Sequence, residues 1–163
     1  MIDAHDIEIL NILQQNARTS NAEIARRLGM APSAILERIR KLESRGVIAG
    51  YEARIDPMAL DLGLLAFVAV RSDEATGETD LGARLAELPE VQEVHHIAGE
   101  DCFLVKVRTA DARSLGRLLR EGIGGLGKVR TRTTIVLETL HESARLPLPA
   151  AAAAEPEPQV AHG

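Results

Sequence analysis

Apolar residues recur at helical spacing up to Gly46 and at strand spacing after it, and this change of period does most to limit the fold. A helical first part followed by strands and helices in alternation argues for an α+β chain rather than a bundle or a barrel. In the first part, Ile2, Ile9, Leu10 and Leu13 fall on one helical face, and Asn16-Ala17-Arg18-Thr19 interrupts it. Ser20-Asn21-Ala22-Glu23 has the spacing of a capping box, with the Ser20 hydroxyl on the Glu23 amide and the Glu23 side chain reaching back. Ala22, Ile24, Ala25 and Leu28 then make an apolar face, which Gly29 ends. Pro32 suits the first turn of a third helix, where Ile35, Ile39 and Leu42 repeat before Gly46 stops it.

Helix, short turn at Gly29-Met30-Ala31, helix is the pattern of a helix-turn-helix. With Ile35, Ile39 and Leu42 inward, the outer face of the third helix carries Ser33, Glu37, Arg40 and Ser44, flanked by Arg38 and Lys41. Ser33, Glu37 and Arg40 are the candidates for reading base edges of double-stranded DNA. Arg26, Arg38 and Lys41 are better placed for phosphates. A three-helix bundle that never meets DNA has the same pattern. The net charge of −5 argues against a polyanionic partner, but the charge is uneven. From Arg26 to Arg45 six basic residues face two acidic ones, whereas from Tyr51 onward 18 acidic residues outnumber 12 basic ones. A basic stripe on an acidic chain still attracts phosphate.

After Gly46, Val47 to Ile55 looks extended and reads as a linker. Strands follow at Leu64–Val70, Val91–Ala98, Cys102–Thr109 and Val129–Leu140. Helices are expected over Thr79–Leu88, with Thr79 as a plausible cap, and after Asp111, which caps a segment carrying Leu115, Leu118 and Leu119. The order β-α-β-β-α-β is that of a ferredoxin-like sandwich. Helices cover only one face of such a sheet, so homodimers are expected. The domains are therefore a helix-turn-helix over 1–46, a hinge strand over 47–56, and a ferredoxin-like domain for effector binding and oligomerisation over 57–146. The Ala- and Pro-rich tail over 147–163 has too little to bury and is expected to be disordered.

Several classes of function are disfavoured. No apolar run approaches the ~18 residues of a membrane span. The acidic start Met1-Ile2-Asp3-Ala4-His5-Asp6 does not resemble a signal peptide, so the chain is expected in the cytoplasm, where its single Cys102 would stay reduced. Five scattered His and one Cys make no metal spacing, and adjacent His95 and His96 on a strand would point to opposite faces. Gly122 to Lys128 mimics a phosphate-binding GxxxxGK loop, but a helix precedes it, a strand follows, and Val129 stands where Ser or Thr is needed. Those glycines read instead as a flexible connection. No catalytic residue set, metal or cofactor is expected. The turn Gly99-Glu100-Asp101-Cys102 has two readings. It is either a water-facing β-turn, or a ligand site where Glu100 or Asp101 attracts an ammonium group and turn amides hold a carboxylate.

Pro32-Ser33-Ala34-Ile35-Leu36-Glu37-Arg38-Ile39-Arg40-Lys41-Leu42-Glu43, then Gly46-Val47-Ile48 and Gly50-Tyr51, resembles the signature of the leucine-responsive/asparagine-regulator (Lrp/AsnC) family. Asp3, Asp6, Ile9, Leu10 and Leu13 are similar to its first helix, and Gly99 to Leu104 with Lys106 to its sensing domain. The resemblance covers residues 2 to 146. It implies a transcription regulator with a ferredoxin-like effector domain, dimers assembled into octamers, and a small-molecule effector, most commonly an amino acid. It also implies that Thr131, Thr133 and Thr134 of a neighbouring subunit line the pocket. Two residues depart from the family. Ala31 stands where Ser or Thr often caps the third helix, at a cost of about 0.5–2 kcal/mol, and Cys102 stands where Asp is frequent. Two rival readings remain, a DNA-binding architectural protein without an effector and a ligand-binding module that has lost DNA.

Overall fold

A computed structural model describes residues 2–72 and 80–149. The described residues form two compact units, one made of those up to Ala53 together with Glu142–Pro149, the other of those from Arg54 to His141.

The first unit contains α1 (Ala4–Gln15), α2 (Asn21–Leu28) and α3 (Pro32–Ser44). Ile9, Ile24, Ala25, Ile35, Ile39 and Leu42 form its buried core. Ile2 precedes α1 and is 40% exposed, so it does not join the apolar face its spacing suggests. Asp3 caps α1 through a capping box with Asp6. Ser20 caps α2, its hydroxyl accepting from the Glu23 amide at 3.2 Å. The other half of the expected capping box is not made, because the Glu23 carboxylate is taken by Arg26 and Arg27. Gly29 closes α2 at φ +66°, a conformation that costs a side-chain-bearing residue steric strain. Ala31 opens α3 without a side-chain cap, and Pro32 follows at the first turn.

The expected hinge strand differs from the structure. The amides of Val47 and Ile48 donate to the Leu42 carbonyl, and both side chains pack on the helical core. These two residues finish the helical unit. Residues 49–56 join no ladder among the described residues, and a 3-10 turn follows at Pro57–Leu60. The segment after the second unit returns to α1, where Gln14 and Leu146 exchange two hydrogen bonds of 2.6 and 3.3 Å.

The second unit is an antiparallel sheet with spatial order β2-β3-β1-β4, from β1 (Leu64–Ser72), β2 (Val91–His96), β3 (Phe103–Thr109) and β4 (Val129–Ile135). Helices α4 (Leu81–Ala86) and α5 (Ala112–Arg117) follow β1 and β3. Thr79 lies outside the described residues. Asp111 caps α5 by accepting from the Ser114 amide, which with neighbouring bonds holds its carboxyl below the usual range. The Gly122–Gly125 region is not a loose connection. A π-helical turn over Leu118–Ile123 and a 3-10 turn over Gly124–Leu126 continue α5, and a Cβ on Gly122 would meet Leu118 at 2.8 Å. The buried helical residues Leu81, Leu85, Leu115, Leu118 and Ile123 pack against Ala66, Val68, Val70, Val105 and Val107. By strand alternation the opposite face carries Leu65, Phe67, Ala69 and Arg71 of β1 with Leu104, Lys106 and Arg108 of β3. β4 ends five residues before its expected limit, because Ala66↔Ile135 is the last pair of the ladder. Pro147 to Pro149 are described, and the rest of the expected disordered tail lies outside the described residues.

Candidate nucleic-acid interface and effector turn

On α3 the core residues Ile35, Ile39 and Leu42 turn the opposite face outward, and Ser33, Glu37, Arg40, Lys41 and Ser44 are all exposed there. The left-handed Gly29 and the bond from Met30 N–H to the Ala25 carbonyl, 3.0 Å, make the tight turn between α2 and α3. Arg26 is exposed on α2, with its guanidinium on Glu23 through two bonds of 2.7 and 3.0 Å. Arg27 adds a bond of 2.8 Å to the same carboxylate. Arg26 first and Arg27 second hold the Glu23 carboxyl down to about 2. A phosphate approaching Arg26 would compete with Glu23 for it. Arg38 differs from the other predicted basic contacts: its Nη1 donates to Asp3 and Asp6 of α1, both at 2.7 Å. Behind α3, the Tyr51 hydroxyl donates to Glu43 at 3.0 Å, and burial followed by that carboxylate pushes its pKa up.

In the second unit, Gly99 takes φ +144° in the β2–β3 connection. The Cys102 amide donates to the Val70 carbonyl and the Ile97 amide to the Cys102 carbonyl, both at 2.9 Å. Glu100 is exposed, whereas Asp101 accepts from Arg132 Nη2 at 2.6 Å. The Asp101 side chain is 16% exposed and that of Arg132 74%. Sequence reasoning missed Arg132. Its partner lies 31 residues away, and only the sheet order brings β4 to that end of β1. The three predicted threonines do not converge. Thr131 and Thr133 pair with Val70 and Val68 and face the helices, and Thr134 pairs with Phe67 on Arg132's face.

The histidines separate as strand alternation requires. His96 stacks on Phe103 with ring centroids 5.2 Å apart, and His95 sits 3.1 Å from Glu93. Lys106 also donates to Glu93 at 3.0 Å; His95 first and Lys106 second hold its carboxyl below the usual range. No group of three or more His, Cys, Asp or Glu among the described residues is placed to hold a metal. No helix among them is long and apolar enough to cross a membrane.

Known proteins share both units. A family model of winged helix-turn-helix DNA-binding domains matches residues 2–49, and a model of the Lrp/AsnC ligand binding domain matches residues 65–146. The HTH-type transcriptional regulator LrpA of Mycobacterium tuberculosis is 40% identical over 140 residues, 86% of this chain and 93% of the relative. The leucine-responsive regulatory protein of Salmonella typhimurium is 38% identical over 148 residues, 89% of this chain and 90% of the relative. Among solved structures, the feast or famine regulatory protein of M. tuberculosis complexed with L-methionine superposes with a TM-score of 0.86 at 40% identity, covering 91% of this chain and all of that one. AsnC of E. coli superposes with a TM-score of 0.82 at 29% identity, covering 89% and 98%.

Proposed function

The chain belongs to the Lrp/AsnC family of DNA-binding transcription regulators, and from that premise we propose that α3 reads DNA while the Gly99–Cys102 turn senses an amino acid. The observation that carries the reading is the polar outer face of α3, exposed opposite the apolar residues that the helix turns into its core. Arg40 reads base edges with Ser33 and Glu37, and Lys41 and Arg26 neutralise phosphates. Exchange of Glu23 for phosphate frees Arg26 for its part.

For the effector, the M. tuberculosis relative bound to L-methionine supports an amino-acid ligand here. Asp101 and Arg132 offer the two charges that a zwitterion needs, an acceptor for its ammonium and a donor for its carboxylate. Glu100 adds a second carboxylate at the mouth, and the Cys102 thiol makes the wall more apolar than an Asp would. Gly99 lets a ligand approach the backbone closely. Thr134 of a neighbouring subunit lies on the face that could complete this site, and Thr131 and Thr133 contribute at most through backbone groups. We also propose that dimers form through the sheet face opposite the helices, assemble into octamers, and work in the cytoplasm with the DNA. The reading includes no catalytic step and no cofactor.

A thermal-shift screen of the full chain against the twenty common amino acids tests the sensing half. A ligand that binds only the native state adds about 2.7 kcal/mol at a hundredfold excess over its dissociation constant. Asp101→Ala is expected to lose most of the shift given by the best ligand, and Glu100→Ala part of it. If calorimetry shows both variants binding that ligand as tightly as the parent, the turn is only a turn.

A further inference from the structure

Arg38 joins two helices through one nitrogen. Its Nη1 donates to Asp3 Oδ2 and to Asp6 Oδ1, each at 2.7 Å. The remaining oxygens of the same carboxylates close the start of α1. Asp3 Oδ1 accepts from the Asp6 amide at 2.9 Å, and Asp6 Oδ2 accepts from the Asp3 amide at 3.2 Å. Each acid thus spends one oxygen on the helix cap and the other on Arg38. Asp6 is only 7% exposed, and a carboxylate so far out of water needs a charged or hydrogen-bonded partner. The N-terminal end of the α1 dipole also favours both acids where they stand.

Apolar contacts set the rotation of α3 about its axis less sharply than a directional bond does. Ile35, Ile39 and Leu42 decide which side faces inward, but burial is non-directional. A guanidinium held by two carboxylates is directional. Arg38 lies on the flank between the core residues and the outer face, so it is placed to set the rotation of that face.

We propose that Arg38 is a positioning residue for DNA reading: it ties α3 to the capped start of α1 and sets the angle at which Ser33, Glu37 and Arg40 meet the bases. This rests on the reading that α3 enters DNA. It replaces the phosphate-contact role that the position of Arg38 suggests from sequence, since both Nη1 hydrogens are held by carboxylates whose negative charges offset the attraction of the guanidinium for a phosphate.

The test uses the full chain, a duplex selected by the parent protein from a random-sequence pool, and an unselected duplex of equal length, titrated over a range of salt. Arg38→Met keeps the length of the stem and removes the guanidinium. Asp3→Asn keeps a residue that caps helices well, with one oxygen for the Asp6 amide, and turns the oxygen that Arg38 uses into an uncharged N–H donor. Both variants are expected to lose selected-over-random preference severalfold while the slope of log affinity against log salt stays that of the parent. Asp3→Asn is the sharper arm, because losing a negative charge would by long-range electrostatics alone strengthen binding to every duplex. A fall in slope of about 0.9 in Arg38→Met, the signature of one lost contact to a B-DNA phosphate, overturns the proposal. So does parental preference in a folded Arg38→Met; if that variant does not fold, parental preference in the double variant Asp3→Asn, Asp6→Asn decides the matter, since it removes both charges that hold Arg38. A parent that prefers no duplex overturns the DNA reading itself, and the proposal with it.

Discussion

Replacing Ile35 with Ala is expected to cost about 2–5 kcal/mol, the range for truncating a fully buried aliphatic side chain. Ile35 has no exposed surface and sits in a core of only six buried residues shared by three short helices. Small domains bury a low fraction of their surface and have little stability to spare. The helical unit should therefore unfold at markedly lower denaturant or temperature in Ile35→Ala, and DNA binding should disappear with it. Glu37→Ala, one half-turn away but exposed, should stay within about 0.5 kcal/mol of the parent. Circular dichroism during denaturation, with fluorescence anisotropy on labelled DNA, measures both effects. Parental stability in Ile35→Ala would mean that α3 does not pack as described.

The second large effect is expected at Phe67. The buried helical residues lie against Ala66, Val68 and Val70, whereas Phe67 is on the other face of β1 with Leu65, Ala69 and Leu104. If a second copy covers that face, Phe67→Asp puts an unpaired carboxylate inside the interface, at a cost on the order of several kcal/mol. Light scattering should then find monomers at concentrations where the parent is oligomeric. If the face stays in water, the carboxylate is harmless. An unchanged oligomer in a folded Phe67→Asp variant would remove this face from the assembly. Lys106 and Arg108 on the same face make an acidic substitution a demanding probe, since a nearby cation can partly compensate it. Phe67→Lys, without that compensation, should dissociate the assembly at least as completely.

What the sequence reveals depends on how far apart the interacting residues lie. Gly29, Pro32 and Asp111 act within one turn of chain, and the structure puts a left-handed helix end, a first-turn proline and a helix cap where each is expected. The β-α-β-β-α-β order follows because each element declares its own period. The misses come from competition and distance. Glu23 has the spacing to reach back to Ser20, but two arginines on the next turn offer it charged partners, and charged hydrogen bonds are the stronger ones. The apolar residues continue past Ile135 in the sequence, but after Val136 donates to the Leu65 carbonyl only Leu64 of β1 remains to pair with, so the ladder ends there. Arg38 with Asp3 and Asp6, and Arg132 with Asp101, are separated by more than 30 residues. No local pattern encodes those meetings. They redefine the candidate sites, one by engaging a presumed phosphate contact and the other by adding a cation beside the sensing turn.

Because one chain carries both the DNA-reading helix and the effector turn, occupancy of the turn is expected to change DNA binding by α3. This coupling is tested most directly by titrating a selected and an unselected duplex with the full chain, with and without the amino acid that gives the largest thermal shift. Arg40→Ala and Lys41→Ala are run beside the parent over a range of salt. Arg40→Ala is expected to lose about 1–3 kcal/mol on the selected duplex at one base position, while Lys41→Ala should weaken both duplexes alike and lower the salt slope by about one. The amino acid is expected to move the parent's affinity for the selected duplex by a coupling of about 1–3 kcal/mol, a factor of roughly 5 to 150. Equal affinity for both duplexes at every salt concentration, or an affinity that no amino acid changes, would contradict these expectations.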